Sequence, residues 1–211
     1  MKHLIIIGAG GMGRDVYWSA RECRGYGVEF DIKGFIDDDL SSQDGYEGYP
    51  PLLGTIDGYQ IEKDDVFNCS IGNVQTKVII CEKLKKRGAK FYTLINKTAV
   101  VHDRTVLGDG CYVGEFAFIG TEASVGDNCL IQAFSIVAHD CKLGNYVRID
   151  THVVLIGGVE IKSRATIHTA AVVSHKVVVG EDAKVAACSF VIKKVKPGTT
   201  VCGNPAKLLE F

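Results

Sequence analysis

A six-residue repeat fills the second half of the chain and constrains its fold more than any other feature. Stepping by six from Val101 to Val191 reaches only Val, Ile and Leu. Four residues after each of these positions, from Thr105 to Val195, stands Thr, Cys, Ala, Ser or Val. A period of six fits neither a helix nor an ordinary strand. Hexapeptide periodicity is typical of a parallel β-helix, so both columns are expected inside it.

Three hexads close one coil, so residues 18 apart lie above one another at about the 4.8 Å spacing of paired strands. The eight cysteines include no C-x-x-C pair, which disfavours a zinc site. Cys111, Cys129 and Cys141 fall in the small column and are expected to be reduced and buried. In several hexads glycine follows the aliphatic residue, where we expect corners: Gly108, Gly114, Gly120, Gly126, Gly144 and Gly180.

Residues 1–96 lack the repeat and read as alternating strands and helices. Such alternation predicts a parallel sheet with helices, which is a Rossmann-like α/β domain. The expected fold is therefore an α/β domain over 1–96 followed by an all-β parallel β-helix with a C-terminal tail over 97–211. The predicted elements are strands at Leu4–Ile7, Asp31–Ile36, Val66–Ile71 and Phe91–Ile95, and helices from Gly11 to about Arg24 and from about Gln75 to Arg87.

The first strand runs into a segment that fits G-x-G-x-x-G. Glycines there let backbone N–H groups approach a diphosphate at a helix N-terminus, and an acid after the next strand suits a ribose hydroxyl. About 96 residues make half a dinucleotide fold, so a nucleotide sugar fits better than a dinucleotide. A purely structural loop is the open alternative. The predicted substrate contacts are Gly8, Gly10, Gly11, Met12, Gly13, Asp37 and Asp38.

Charge and hydropathy narrow the partners and the compartment. The chain has 24 basic and 25 acidic residues, which argues against nucleic acid as a partner. Only four consecutive apolar residues, Leu4–Ile7, precede the first glycine, too few for a signal peptide or a membrane span. We therefore expect a cytoplasmic protein without a membrane partner.

His139 is the histidine whose position on the coil most favours a functional role. It stands two positions after the inward Val137, so it points outward. Asp140 follows it, and Gly157 lies one coil above it. His175 shares the column of His139. The remaining histidines show no comparable arrangement and are expected to be structural: His3, His102, His152 and His168.

These motifs together resemble a known enzyme family. The repeat resembles the hexapeptide-repeat acyltransferases, and Gly203–Lys207 matches the G-x-P-A-K ending common among them. With G-x-G-x-x-G and Ile71–Asn73, the whole chain resembles bacterial sugar acetyltransferases that join a small Rossmann-like domain to a hexapeptide β-helix. These include nucleotide-sugar N-acetyltransferases and the sialic acid O-acetyltransferase group. The resemblance implies a left-handed coil, a homotrimer, acetyl-CoA as co-substrate and Asn73 as a substrate contact.

The same resemblance implies roles for the residues on the coil. His139 would be the general base, Asp140 would orient its imidazole, and the Gly157 N–H would polarise the thioester carbonyl. Basic residues higher on the coil are expected to meet the coenzyme phosphates, with an ordinary solvated face as the open alternative. The expected contacts of acetyl-CoA are Arg148, Gly157, Gly158, His175, Lys176, Lys194 and Lys207.

The leading hypothesis is acetyl transfer from acetyl-CoA to the amino group of a UDP-linked amino sugar in bacterial surface-glycan synthesis. No metal is expected. O-acetylation of a sialic-acid-type sugar is the alternative on the same scaffold. A zinc enzyme like the gamma-class carbonic anhydrases is less favoured: His139 and His175 lie 36 residues apart, but no third histidine follows. A non-catalytic module that binds nucleotide sugars is the remaining alternative.

Overall fold

The computed structural model describes residues 1–210, which form two compact units. The first unit is Met1–Lys97 and the second begins at Thr98. The first is an α/β unit and the second is a parallel β-helix, as predicted. No helix in the described part of the chain is long and apolar enough to cross a membrane.

The first unit is built on a three-stranded parallel sheet in the order β2-β1-β3. Leu4–Ile7 in the central strand are fully buried, which explains their uninterrupted apolar run. The predicted strand over Phe91–Ile95 is reduced to β4, and Phe91 forms a single bridge to Phe67. The elements are β1 (Lys2–Ile7), α1 (Gly11–Arg21), β2 (Phe30–Ile36), β3 (Asp65–Cys69), α2 (Val74–Lys86) and β4 (Leu94–Ile95).

Helix α1 ends three residues earlier than the sequence predicts. The N–H groups of Glu22 and Cys23 bond to the carbonyls of Ser19 and Ala20, which tightens the last turn. Cys23 then bridges to Asn96, so the chain has already left the helix axis.

A polar network around the buried carboxylate of Asp65 joins the two outer strands of this sheet. Lys33 Nζ donates to Tyr59, Glu62 and Asp65 at 2.8–2.9 Å, and the Tyr59 hydroxyl donates to Asp65 at 2.7 Å. Burial opposes the charge on Asp65, but these bonds and the Glu62 N–H hold its pKa below the usual value. Because every member is partnered, the network is structural.

The second unit is a stack of short strands on three faces. Parallel pairing joins strands 18 residues apart, as Ile136↔Val154 shows. The strands are β5 (Val100–Val101), β6 (Val106–Leu107), β7 (Tyr112–Val113), β8 (Phe118–Ile119), β9 (Ser124–Val125), β10 (Leu130–Ile131), β11 (Ile136–Val137), β12 (Lys142–Leu143), β13 (Arg148–Ile149), β14 (Val154–Leu155), β15 (Glu160–Ile161), β16 (Thr166–Ile167), β17 (Val172–Val173), β18 (Val178–Val179), β19 (Lys184–Val185), β20 (Phe190–Val191), β21 (Thr200–Cys202) and β22 (Lys207–Leu208).

We name the faces by their strands. Face 1 contains β7, β10, β13, β16, β19 and β21, with β22 antiparallel to β21. Face 2 contains β5, β8, β11, β14, β17 and β20. Face 3 contains β6, β9, β12, β15 and β18. The chain therefore turns three edges per coil, from face 1 to face 2, from face 2 to face 3, and back to face 1.

Both repeat columns point into the core. Val137 and Ile149 of the aliphatic column are fully buried. In the small column, Cys111 Sγ donates to the Gly126 carbonyl at 3.1 Å and Ser135 Oγ to the Asp150 carbonyl at 2.7 Å. A small residue with a donor thus satisfies a carbonyl of the next coil. Cys111, Cys129 and Cys141 are core residues, as predicted.

The sequence suggests that the glycines after the aliphatic residues are needed for the corner conformation, but the structure gives a different reason for them. The left-handed conformation falls two residues later, on ordinary residues such as Asp140 (φ 60°). A Cβ on Gly120 would instead lie 2.8 Å from the backbone nitrogen of His139 in the next coil. Close approach between coils therefore requires these glycines.

Candidate functional site

His139 and Asp140 form a hydrogen-bonded pair on the edge between faces 2 and 3. His139 Nδ1 lies 2.7 Å from Asp140 Oδ2, and both side chains are more than half exposed. In the neutral ring the proton therefore sits on Nδ1, and Nε2 keeps its lone pair. Such an imidazole can accept a proton from a ligand in solvent contact.

Gly157 leaves the space that the His139 ring occupies. A Cβ at Gly157 would lie 2.5 Å from both Nε2 and Cε1 of His139, closer than atoms pack. Among residues 1–210 the Gly157 N–H has no hydrogen-bond acceptor. At the edge between faces 3 and 1, by contrast, the Asp109 N–H donates to Asp127 Oδ1 at 3.0 Å. The Gly157 N–H is therefore a free donor beside a proton acceptor.

Further predicted residues lie higher on the same edge. The Gly158 N–H donates to the His139 carbonyl at 2.9 Å, and the Lys176 N–H donates to the Gly157 carbonyl at 3.2 Å. His175 immediately precedes Lys176 in the column of His139 and Gly157. The structure thus brings these predicted residues onto one edge.

Lys194 and Lys207 line one cavity of about 480 Å³. Its lining also includes Lys193, Lys196 and Val201. That volume lies in the range of small-molecule sites, which combine apolar lining with a few charged groups. Arg148 lies elsewhere, on face 1, so the structure does not bring it to this edge or to the cavity.

Arg148 belongs to a cluster that the sequence did not reveal. Its Nε donates to Asp150 Oδ1 at 2.6 Å, and His168 Nδ1 lies 2.9 Å from Asp150 Oδ2. The Asp150 side chain is only 7% exposed, whereas His168 is 39% exposed. The expectation that His168 has no comparable arrangement was wrong. The signal was available, because positions 150 and 168 are one coil apart.

The glycine loop of the first unit has an open helix N-terminus. Gly8 has φ +95°, and a Cβ on Gly13 would lie 1.9 Å from the Gly8 carbonyl oxygen, so the helix packs tightly on the strand. Gly10 caps α1 without a side-chain hydrogen bond, and nothing would meet a Cβ at Gly10 or Gly11. Met12 lies in this first turn. Such a terminus suits an anion.

The acidic and amide residues near this loop already have structural partners. Asp37 Oδ2 accepts the Ala9 N–H at 2.7 Å, and Asp38 Oδ1 accepts the Ile56 N–H at 3.0 Å. Asn73 caps α2 by accepting the Thr76 N–H at 2.9 Å. Asp37 therefore holds the glycine loop, while Asp38 holds the segment at Ile56 and Asn73 holds the start of α2.

Arg14 is a further residue of this region that the sequence did not single out. Its Nη1 donates to the carbonyls of Ala9 and Ser42 at 3.2 and 3.3 Å. Its guanidinium lies 3.5 Å from the ring centre of Tyr46. Arg14 thereby fastens the loop after β2 onto the glycine loop. Among the described residues, no group of His, Cys, Asp and Glu is placed to hold a metal ion.

Two family models match consecutive parts of the chain. Residues 3–84 match the PglD N-terminal domain, and residues 90–184 match the GMPPB C-terminal domain. No curated protein sequence gives a significant match.

Solved structures match the chain over both units. The acetyltransferase domain of PglB from Neisseria gonorrhoeae has a TM-score of 0.90 and 28% identity, covering 99% of this chain and 100% of that one. It has also been solved with acetyl coenzyme A. PerB from Caulobacter crescentus, solved with CoA and GDP-perosamine, has a TM-score of 0.87 and 25% identity, covering 100% and 98%. WeeI from Acinetobacter baumannii has a TM-score of 0.87 and 27% identity, covering 99% and 100%.

Proposed function

We propose that this chain, a hexapeptide-repeat sugar acetyltransferase by its fold, domain order and structural relatives, transfers acetyl from acetyl-CoA to the amino group of a nucleotide-linked sugar. The observation that carries the proposal is the His139–Asp140 pair with the free Gly157 N–H beside its ring. It supplies a base and an oxyanion donor at one point, which are the two groups that direct acyl transfer needs.

The reaction needs no covalent enzyme intermediate. His139 Nε2 takes a proton from the neutral amino group of the sugar as its nitrogen attacks the thioester carbonyl. The carbonyl oxygen becomes an oxyanion, to which the Gly157 N–H donates. The carbon–sulfur bond then breaks, and the CoA thiolate receives the proton from His139. Asp140 holds the ring and stabilises its charged form.

The glycine loop of the first unit is proposed to bind the diphosphate of the acceptor. Its unpartnered α1 N-terminus and the close packing at Gly13 support this assignment. The acceptor we propose is a UDP-linked amino sugar of surface-glycan synthesis, used in the cytoplasm. Because PerB was solved with GDP-perosamine, guanine is the base to test against uracil.

The substrate test is an acetylation screen read by mass spectrometry. Purified protein is incubated with acetyl-CoA and, separately, UDP-linked amino sugars, GDP-linked amino sugars and sialic acids. We expect a gain of one acetyl group on a nucleotide-linked amino sugar. Acetylation of sialic acids alone would replace N-transfer by O-transfer, and no product with any acceptor would contradict an acetyltransferase of this class.

The lysine-lined cavity is proposed to hold the phosphate end of acetyl-CoA. Lys193 stands three coils above His139, at about 14 Å for the strand spacing of a sheet. The pantetheine arm separates the thioester from the phosphates, so a basic site at the far end of the edge fits the coenzyme. Charge reversal there weakens binding without touching the reacting atoms.

Replacing Lys194 and Lys207 by Glu should raise the KM for acetyl-CoA by about tenfold or more, equivalent to about 1.4 kcal/mol. The KM for the nucleotide sugar should stay the same. Lys90→Glu, on an exposed lysine of the first unit, is the matched control. An unchanged KM for acetyl-CoA in the double variant would refute this assignment.

Face 2 is proposed as the surface of a homotrimer. Its outward column is apolar throughout, and Val100 and Ile136 remain 49% and 39% exposed. The corresponding column of face 3 carries Lys142 and Glu160. A continuous apolar strip with exposed members is typical of an interface, and its length along the coil suits a second copy packed side by side. The outward residues of face 2 are Val100, Phe118, Ile136, Val154, Val172 and Phe190.

A further inference from the structure

We infer that Cys69 and Cys81, inside the first unit, are a modification site at which hydrogen peroxide forms a disulfide. Neither residue takes part in the proposed acyl transfer, and the disulfide itself does not depend on the proposed function. Its expected effect on the binding of the nucleotide sugar does rest on that function. The site is a cluster of two thiols and one lysine between β3 and α2.

The fold brings these three side chains to one place. Cys69 is the last residue of β3. Lys77 and Cys81 stand four residues apart on α2, so they share one face of that helix. All three are buried: Cys69 is 1% exposed, Cys81 0% and Lys77 4%. The thiol of Cys81 donates a hydrogen bond to Cys69 Sγ, so the two sulfurs are neighbours between the strand and the helix.

The surroundings of Cys69 favour its thiolate over its thiol. Burial opposes ionisation, but the hydrogen bond from Cys81, the charge of Lys77 and the backbone N–H of Ile71 together hold the pKa of Cys69 below its usual value. The hydrogen bond to Cys69 and burial raise the pKa of Cys81. Cys69 is thus the nucleophile of the pair, and Cys81 is the thiol that resolves the oxidised sulfur.

Lys77 is a buried cation without a carboxylate partner. Among residues 1–210 it forms no ion pair with Asp or Glu, although its side chain is almost completely buried. A buried ammonium without a group of opposite charge is costly. The Cys69 thiolate supplies that charge, which gives the lysine a role at this position that an apolar residue could not fill.

Oxidation proceeds in two balanced steps. The Cys69 thiolate attacks one oxygen of hydrogen peroxide, the O–O bond breaks, and the departing hydroxide takes up a proton to become water. The Cys69 sulfur is now a sulfenic acid. Cys81 then loses its thiol proton, its sulfur attacks the Cys69 sulfur, and the S–O bond breaks to release hydroxide, which leaves with that proton as water. The two sulfurs lose two electrons, which reduce the peroxide.

The burial of both sulfurs restricts the oxidant to a small molecule. Hydrogen peroxide is little larger than water, whereas glutathione disulfide is a peptide. Because β3 is an edge strand of its sheet, the thiols lie at the margin of the first unit, where local opening of α2 admits a molecule of this size. Peroxide is therefore the oxidant that this site fits.

The disulfide is expected to weaken the binding of the nucleotide sugar. The segment between β3 and α2 supports the glycine loop, because Ser70 Oγ donates to the carbonyls of Ile7 and Gly8 at 2.8 and 3.0 Å. A disulfide removes the negative charge that holds the Ile71 N–H, so this segment loses an anchor beside Gly8. We expect the KM for the nucleotide sugar to rise by about tenfold, the effect of one lost hydrogen bond to a charged group. The KM for acetyl-CoA should not change.

Peptide mass spectrometry of the full chain tests the modification. Purified protein is treated with hydrogen peroxide, unfolded, alkylated to mark every free thiol, and digested with trypsin without a reductant. Trypsin cleaves after Lys77, so Cys69 and Cys81 fall on different peptides. We expect these two peptides to be joined and to separate after dithiothreitol treatment. Alkylation of both thiols after peroxide treatment would overturn the inference.

Two variants test the assigned roles. Cys81→Ser should leave a Cys69 sulfenic acid that dimedone traps, because no resolving thiol remains. An unmodified Cys69 in that variant would overturn its role as the nucleophile. Cys111→Ser is the matched control: Cys111 is also fully buried and donates to the Gly126 carbonyl, and its loss should leave the joined peptides in place.

Kinetics separate this inference from the proposed function. Peroxide is removed with catalase, and both KM values are measured for the oxidised chain before and after dithiothreitol treatment. A reversible disulfide with an unchanged KM for the nucleotide sugar would overturn the link to the acceptor site alone. A reduced chain that acetylates no acceptor would overturn the proposed function, while the joined peptides would still establish the disulfide.

Discussion

Replacing His139 by Ala is expected to lower kcat by about 10²- to 10⁴-fold, the usual contribution of a positioned general base. The reason is geometric. His139 is the ring whose Nδ1 is held by Asp140 and whose Nε2 lies beside the free Gly157 N–H. The side chain is more than half exposed, so its loss leaves the core intact. Steady-state rates of CoA release measure the effect.

Substrate binding should survive this change. We expect calorimetric titration to give similar Kd values for the nucleotide sugar in the wild type and in His139→Ala, since the glycine loop is untouched. His3→Ala, which removes a histidine from the first unit, should keep the wild-type kcat. If His139→Ala instead turned over at the wild-type rate, the chain would be a binding module or would use another base.

Replacing Gly157 by Ala is expected to lower kcat by about 10²- to 10³-fold, within the usual contribution of a positioned general base that has been displaced. The added Cβ would lie 2.5 Å from Nε2 of His139, so the ring must move away from the reacting atoms. His139 and His175 carry side chains at the equivalent corner, so the coil itself accommodates a Cβ there. Thermal unfolding should therefore shift by only a few degrees.

A double variant separates a local effect from a general one. If the new methyl group acts by displacing the His139 ring, adding Gly157→Ala to His139→Ala should cost much less than Gly157→Ala costs alone. If the fold-reduction in kcat of the double variant equalled the product of the two single reductions, Gly157 would act independently of the base. A wild-type kcat in Gly157→Ala would contradict the expected crowding of the His139 ring, since alanine keeps the backbone N–H.

The β-helix was predictable because a strict period determines which side chains are buried. The aliphatic residue and the small residue of each hexad point inward without an interruption from Val101 onward, so the columns could be read from spacing alone. The same column rule brought His139 and Gly157 together. What the period does not encode is hydrogen bonding on the surface, which depends on how adjacent side chains turn.

The Asp150–His168 pair shows this limit. Both residues occupy one column, but the period alone predicted His168 only as a structural histidine. In the first unit, the sequence also could not predict the hydrogen bonds of Asp37 and Arg14. Each depends on the path of the aperiodic loop after β2, where no repeat fixes which groups meet.

Because every coil rises by the same distance, the number of coils fixes the distance between His139 and the lysine-lined cavity. Removing six residues between Asp140 and Lys193 would turn everything beyond the deletion by a third of a revolution, carrying Lys194 away from the edge of His139. Only the loss or gain of 18 residues preserves the alignment, and it changes the distance by one step of about 4.8 Å. Insertions and deletions can therefore change the distance between the proposed base and the proposed phosphate site only by whole coils.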